Sequence, residues 1–322
     1  MKLHRVLVTL IMVLIWPGMA AAQGEGVPVI GVLITHASPD DRVVHALRKG
    51  LRDYGYEDGR NIRVEVRSAM GELHRVPALA EELVELDVQA IVLVNETAAR
   101  AALRATSTIP IVLLGYTDDP LALGWIESYR HPGGNVTGIF SLDAELCAKR
   151  LEILKDLLPD LSRVAVFWDS YGHRQVKAVE NAADALGLEL ALIEVKGADD
   201  LDSAFRRAKA RKVDALLLLW SPVFYVNSDR IGMLTLQAEL PLITELTPIV
   251  YAGGLVSYGS ERYYNWERAA YFIDRILKGT KAADLPMERP ARFKMVVNHK
   301  SAEALGITIP QSILLRADEV IE

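Results

Sequence analysis

Hydroxyl, carboxylate and aromatic side chains follow several short apolar runs of the chain, at points where strands of a sheet are predicted to end. Hydroxyls and backbone amides suit a ligand carboxylate, side-chain carboxylates suit an amine or a hydroxyl, and aromatic rings pack on an apolar body. Because the carboxyl ends of parallel strands meet at one edge of a sheet, these side chains could share one site. The candidate ligand-binding residues are Thr35, Ser38, Glu96, Thr97, Tyr116, Ser170, Trp220, Ser221, Glu245 and Tyr258.

A structural role also explains each of these residues when it is taken singly. Thr97, Ser170 and Ser221 can each cap a helix. Trp220 could point into a core, and Glu245 could be a solvated loop carboxylate. The hypothesis of a binding site therefore depends on the whole set facing one cleft.

Motifs of catalysis are absent from the sequence. It contains no G-x-S-x-G elbow, no H-E-x-x-H pair, no P-loop and no dinucleotide fingerprint after a strand. The histidines are scattered without metal-ligand spacing, and His36 is the one that follows a predicted strand end and could line a cleft. We therefore predict a protein that is not an enzyme and that uses neither a cofactor nor a metal.

Short apolar runs alternate with amphipathic helical patterns almost throughout, and the alternation runs twice. One series begins at Val29 and a second at Arg163, each in the order strand, helix, strand, helix, strand. Strands separated by helices indicate parallel sheets covered on both faces. The predicted fold class is α/β, with two Rossmann-like lobes of parallel strands joined by a hinge of several segments.

Three stretches rich in glycine or proline are predicted to cross between the lobes, and they set the expected boundaries. They place the hinge near residues 137–139, 251–254 and 282–290. The first lobe would comprise residues 28–136 and 254–281, and the second lobe residues 139–250 and 288–322.

The N-terminus and the composition indicate an exported protein. Residues 1–22 have a basic start, an apolar run and an Ala-Ala-Ala end, which is the pattern of a cleavable signal peptide. The formal net charge of −6 argues against nucleic acid as the partner. Cys147 is the one cysteine, so no internal disulfide can form. We expect a periplasmic protein, monomeric, with a small-molecule ligand.

Several longer stretches resemble a known family. The segments AGGLVSYG, STIPIVLLGYTDDPLALG and HPGGNVTGIF are similar to those of ABC importer substrate-binding proteins of the tryptophan/tyrosine type, in the same order along the chain. The resemblance implies a periplasmic binding protein fold of type I, with a ligand held between two closing lobes. It also implies permease and ATPase subunits of an ABC importer as partners.

The chain departs from the family pattern at places that would touch a ligand. The family pattern has a small residue, then Ser or Thr, then Pro after the third strand, where this chain has Asn95-Glu96-Thr97. The bulkier and more aromatic strand ends favour an aromatic or carboxylated, amino-acid-like ligand. A sensing module that presents its ligand to a membrane receptor is the alternative function, and an enzyme on the same scaffold is a further one.

Overall fold

The computed structural model describes residues 26–36, 38–117, 119–170 and 172–322, and for residues 116, 117, 141–144, 173 and 174 it describes the backbone alone. The predicted signal peptide lies outside these residues. The described part is α/β and forms two lobes, as predicted. None of its helices is long and apolar enough to span a membrane.

The first lobe contains a five-stranded parallel sheet in the order β2-β1-β3-β4-β5. Its central strands are continuous apolar runs, and β3 is buried along its whole length, as expected for a parallel sheet covered on both faces. The strands and helices of this part of the chain are β1 Val29–Ile34, α1 Arg42–Asp53, β2 Arg63–Ser68, α2 Val76–Glu85, β3 Ala90–Val94, α3 Glu96–Ala105, β4 Ile111–Thr117 and β5 Val136–Leu142.

The second lobe contains a seven-stranded sheet in the order β12-β11-β10-β9-β8-β6-β7. All neighbours are parallel except β10 and β11, which pair antiparallel. The elements after β5 are α4 Asp143–Leu157, β6 Arg163–Trp168, α5 His173–Leu186, β7 Glu189–Glu194, α6 Leu201–Ala210, β8 Ala215–Leu218, α7 Pro222–Val226, α8 Ser228–Gln237, β9 Leu242–Thr244, α9 Thr247–Tyr251, β10 Val256–Ser260, α10 Arg262–Leu277, β11 Phe293–Asn298, α11 His299–Ala304, α12 Gln311–Leu314 and β12 Glu319–Ile321.

Two of the segments that join the lobes differ from the sequence prediction. The strand β5 runs through the expected hinge at 137–139 and stays in the first sheet to Leu142. The segment 254–281, expected wholly in the first lobe, is divided: β10 pairs with β9 and β11 in the second sheet, whereas α10 packs on α1 of the first lobe. The antiparallel pairing with β11 holds β10 in the second sheet. Local sequence does not predict this pairing, because the two strands are distant along the chain.

The helix α10 returns to the first lobe through close packing on α1. A Cβ at Gly50 of α1 would lie 2.3 Å from the carbonyl oxygen of Glu267, so glycine is required for this approach. Lys49 and Glu267 form an ion pair at 2.7 Å on the same contact, and the Tyr56 hydroxyl donates to Asp274 at 3.1 Å. The start of α10 is therefore held close to the strand ends of the first lobe.

Candidate functional site

A hydrogen-bonded chain of three side chains lies at the strand ends of the first lobe. The Asn95 amide nitrogen Nδ2 donates to Thr35 Oγ1 at 2.7 Å, and Thr35 Oγ1 lies 2.9 Å from His36 Nδ1. All three residues are buried, and His36 is 9% exposed. Thr35 and His36 follow β1, and Asn95 follows the neighbouring strand β3, so the parallel pairing brings them together.

Asn95 also begins the helix α3. Its Oδ1 accepts from the Ala98 backbone N–H at 3.1 Å, which satisfies one of the first amides of the helix. Its backbone φ is +73°, an uncommon value for a residue with a side chain. Glu96 pairs with Arg100 at 2.6 Å, one helical turn later. The segment Asn95-Glu96-Thr97 is thus the start of the helix, with Thr97 half-buried in its first turn.

The His36 ring meets the second lobe across the cleft. Its centroid lies 5.7 Å from the Trp220 ring and 5.0 Å from the Tyr225 ring, both in edge-to-face geometry. Arg262, the first residue of α10, lies over the Tyr225 ring with its Cζ 4.7 Å from the centroid. A pocket at this contact is lined by Ile34, His36, Val43, Val94, Trp220, Arg262 and Trp266.

Burial controls the charge of this histidine. Desolvation first, and then the positive charge of Arg262, lower the pKa of His36 from 6.5 to about 3. The ring is therefore neutral at physiological pH while the lobes meet at this contact. A neutral imidazole packs against aromatic rings without the cost of burying a charge.

The second lobe has a hydroxyl–carboxylate pair at its strand ends. Ser221, fully buried, donates its hydroxyl to Asp169 Oδ2 and accepts from the Val223 backbone N–H at 3.0 Å. Asp169 Oδ1 accepts from the Gly172 N–H at 3.2 Å. Ser221 thus caps α7, the structural role that its sequence context also allowed.

A buried ion pair lies further along the same sheet. Arg150 on α4 contacts Glu245, which follows β9, at 2.5 Å, and the two side chains are 0% and 1% exposed. Arg150 Nε also donates to the Tyr258 carbonyl oxygen on β10 at 2.7 Å. The second Glu245 oxygen, Oε1, is buried and has no hydrogen-bond partner among the described residues. The pair joins one helix to two strands next to the segments that connect the lobes.

The structure brings some of the predicted site residues together and leaves others apart. Thr35 and Trp220 meet through His36, and Glu245 and Tyr258 meet through Arg150. Ser38 and Ser170 are exposed, and the Tyr258 ring stacks on Phe293 at 6.1 Å. The Tyr116 side chain lies outside the described part of the structure.

The predicted set of site residues left out four contributors, His36, Arg150, Asp169 and Arg262, although His36 was expected as a residue that could line a cleft. His36 and Asp169 follow predicted strands, so the strand-end rule could have included both. Arg262 is the first residue of α10, just after the end of β10, so it too lies close to a strand end. Nothing local marks Arg150, which lies on a helix and finds its partner 95 residues away.

The two-lobed architecture, with the strand ends of both sheets meeting at one cleft, is that of the type I periplasmic binding proteins. The chain belongs to the ABC transporter substrate-binding protein family, whose pattern it matches over residues 27–321. It is thus a solute-binding component of this transporter class.

Comparisons with individual relatives support the family assignment. The chain is 24% identical over 281 residues to the tyrosine-binding protein of Clostridioides difficile, which covers 86% of this chain and 80% of that protein. It superposes on an ABC domain of Streptococcus pneumonia in complex with L-Trp with a TM-score of 0.82 and 26% identity, covering 92% of this chain and all of that one. A conserved domain protein of Vibrio cholerae gives a TM-score of 0.83 and 25% identity, with the same coverage.

Proposed function

We propose that the protein binds an aromatic, carboxylated, amino-acid-like solute in the cleft between its lobes and delivers it to the permease and ATPase subunits of an ABC importer. The observation that carries the proposal is the pocket whose walls come from both lobes, with Trp220 on one side and His36, Arg262 and Trp266 on the other. The names of the relatives, which refer to tyrosine and to L-Trp, support the same ligand class.

The residues that line the pocket suit such a ligand in their apolar surface and in their charge. Trp220 and Trp266 offer large apolar surfaces, and flat rings gain most from packing between such walls. Arg262 supplies a positive charge beside them, which favours a carboxylate. In this proposal Thr97, Tyr116, Ser170 and Tyr258 stay as further candidate contacts, because each lies at or near a strand end.

Binding and closure are coupled in this mechanism. A ligand that touches both lobes stabilises the state in which they meet, in proportion to its preference for that state. The His36–Trp220, His36–Tyr225 and Arg262–Tyr225 contacts all join the first lobe to the second. We infer that the ligand is released unchanged, after export of the protein to the periplasm under the direction of residues 1–22.

A thermal-shift and calorimetry panel tests the ligand class. L-tryptophan, L-tyrosine and L-phenylalanine are compared with benzoate, L-leucine and a sugar, and mass spectrometry checks that each solute is recovered unchanged. At one hundred times its dissociation constant, a bound ligand adds about 2.7 kcal/mol to the free energy of unfolding. Stabilisation by leucine or the sugar and by none of the aromatic solutes would contradict the proposed class, and so would turnover of a solute.

Two tryptophans provide a matched pair of variants for the location of the site. Trp220→Leu removes a wall of the pocket, and we expect the affinity for the aromatic ligand to fall by roughly tenfold or more. Trp125→Leu changes a half-buried tryptophan of the first lobe that packs under Arg100, outside the pocket, and should leave affinity within about twofold. Equal losses in both variants would place the ligand elsewhere.

A further inference from the structure

The hydrogen-bond chain in the first lobe determines which His36 nitrogen carries the proton. Asn95 Oδ1 accepts from the Ala98 N–H, so its Nδ2 is the atom that donates to Thr35 Oγ1. Among the described residues, the buried Thr35 hydroxyl has just two partners, Asn95 and His36. Its own hydrogen therefore goes to His36 Nδ1, because a buried hydroxyl hydrogen without an acceptor is costly. Nδ1 is then an acceptor, and the neutral ring carries its hydrogen on Nε2.

The His36 ring lines the pocket, and its Nε2–H group has no acceptor among the described residues. Within the described part of the chain, Thr35 is the one residue that hydrogen-bonds the ring, and the remaining ring contacts are with Trp220 and Tyr225. His36 is nine-tenths buried and lines the pocket with Arg262. One wall of the cleft thus presents a neutral donor next to a guanidinium, an arrangement that is complementary to an anionic oxygen.

We propose that His36 donates from Nε2–H to the carboxylate of the bound solute, sharing this group with Arg262, and that Asn95 and Thr35 are positioning residues that hold the ring in the required tautomer. This inference rests on the proposed function. It adds to that function a reason why the solute must carry a free carboxylate.

Asparagine is the residue type that this arrangement needs after β3. Its side chain has an acceptor for the first turn of α3 and, at the same time, a donor for Thr35. Aspartate could cap the helix but has no hydrogen to donate, and the shorter serine would have to serve both partners through one oxygen. The requirement also accounts for a residue with a side chain at a φ of +73°, which asparagine tolerates better than most residues.

Nitrogen NMR of protein labelled with ¹⁵N-histidine tests the tautomer without any ligand. At pH 7.5 we expect His36 to be neutral, with a protonated Nε2 and an unprotonated Nδ1. In Asn95→Asp the carboxylate accepts from the Thr35 hydroxyl, which then accepts from His36, so Nδ1 should become protonated. The variant keeps a helix-capping side chain, and a thermal melt confirms folding. An Nδ1 that carries the proton in the wild type, or none in the variant, overturns the inference.

Ligand pairs test the role of the ring in selectivity. L-tryptophan and L-tryptophanamide, or the tyrosine pair if tyrosine binds better, differ in the carboxylate. We expect His36→Leu to weaken binding of the acid by about ten- to a hundredfold and binding of the amide much less. The affinity of Thr35→Val for the acid should lie between that of His36→Leu and that of the wild type. Equal losses for acid and amide would make His36 a packing residue and overturn the inference. Failure of the wild type to bind any aromatic amino acid would instead count against the proposed function, since the NMR result does not depend on it.

Discussion

The first lobe places a neutral hydrogen-bonded chain at the cleft, from Asn95 through Thr35 to His36, whereas the second lobe places a charged pair, Arg150 and Glu245, near the ends of its strands. Both clusters are buried. The first ends in a histidine ring that lines the pocket, and the second is closed between a helix and two strands. We propose from this difference that the first cluster serves recognition and that the second fixes the frame on which the cleft is built.

The largest effect that separates the two clusters is expected from the charged pair. Arg150→Met leaves the Glu245 carboxylate buried without its partner, and we expect a loss of about 3–5 kcal/mol in the free energy of unfolding. Urea denaturation measures it. Lys149→Met is the control, because Lys149 is the neighbouring residue and pairs with Glu152 on the exposed surface, so its loss should be below about 1 kcal/mol.

A double variant determines whether the loss comes from the uncompensated charge. Arg150→Met combined with Glu245→Met removes both charges, and much of the lost stability should return. If the double variant were as unstable as Arg150→Met alone, the hydrogen bond from Arg150 to the Tyr258 carbonyl would be the main contribution. In that case Arg150 would stabilise the fold mainly through its hydrogen bond to the backbone, and the charges of the pair would contribute little to stability.

The next effect concerns pH and belongs to the first cluster. When the lobes separate, His36 loses its contacts with Trp220 and Tyr225, and its pKa should return from about 3 toward 6.5. Above pH 6.5 the ring is neutral in both the open and the closed state, so its protonation does not affect closure. As the pH falls below 6.5, the open state takes up a proton that the closed state excludes, so closure weakens until the pH reaches about 3. At pH 5.5 the cost to closure of the ligand-free protein is roughly 1.4 kcal/mol, about tenfold in the closure equilibrium, whereas a bound carboxylate beside Nε2 raises the pKa of the ring and opposes this cost.

Small-angle X-ray scattering of the ligand-free protein from pH 7.5 to 5.5 checks this dependence through the ratio of open to closed molecules. At this contact Arg262 on α10 stays charged, and the pKa of Tyr225 on α7 is raised by burial. Neither group titrates in this window. Asp41 and Tyr263 also act on Tyr225, and they are common to the wild type and His36→Gln. His36→Gln should give a flat pH profile. A wild-type closed fraction independent of pH would mean that the ring stays buried when the lobes open.

The sequence pattern predicted the two sheets and the side of each sheet where the carboxyl ends of its strands lie, because continuous apolar runs separated by helices admit few other arrangements. The same rule predicted Thr35 and Trp220, which lie on opposite sides of the observed contact. It could not predict Arg150, since a buried cation on a helix has no local signal and its partner is 95 residues away. Nor could it place β10, whose position follows from an antiparallel pairing with β11.

The distinction between capping and binding roles is also beyond a sequence pattern. The sequence is equally compatible with a binding role and a capping role for Ser221 until the hydrogen-bond partners of its hydroxyl are known. In the structure its hydroxyl is engaged by Asp169 and by the Val223 N–H, whereas His36 Nε2 has no hydrogen-bond partner among the described residues. Side-chain geometry across neighbouring strands determines which polar groups at a strand end already have hydrogen-bond partners.

The smallest expected effect tests whether Ser221 belongs to the frame. Ser221→Ala removes the cap of α7 and the donor to Asp169, and we expect a loss of about 1 kcal/mol in the free energy of unfolding, measured by urea denaturation. Ser38→Ala, at an exposed serine of the opposite lobe, should stay within about 0.5 kcal/mol. Affinity for the aromatic ligand should change by less than about threefold in both, because the Ser221 hydroxyl is already engaged within the protein. A tenfold loss of affinity in Ser221→Ala, with stability unchanged, would move Ser221 from the frame into the binding surface and remove the contrast between the lobes.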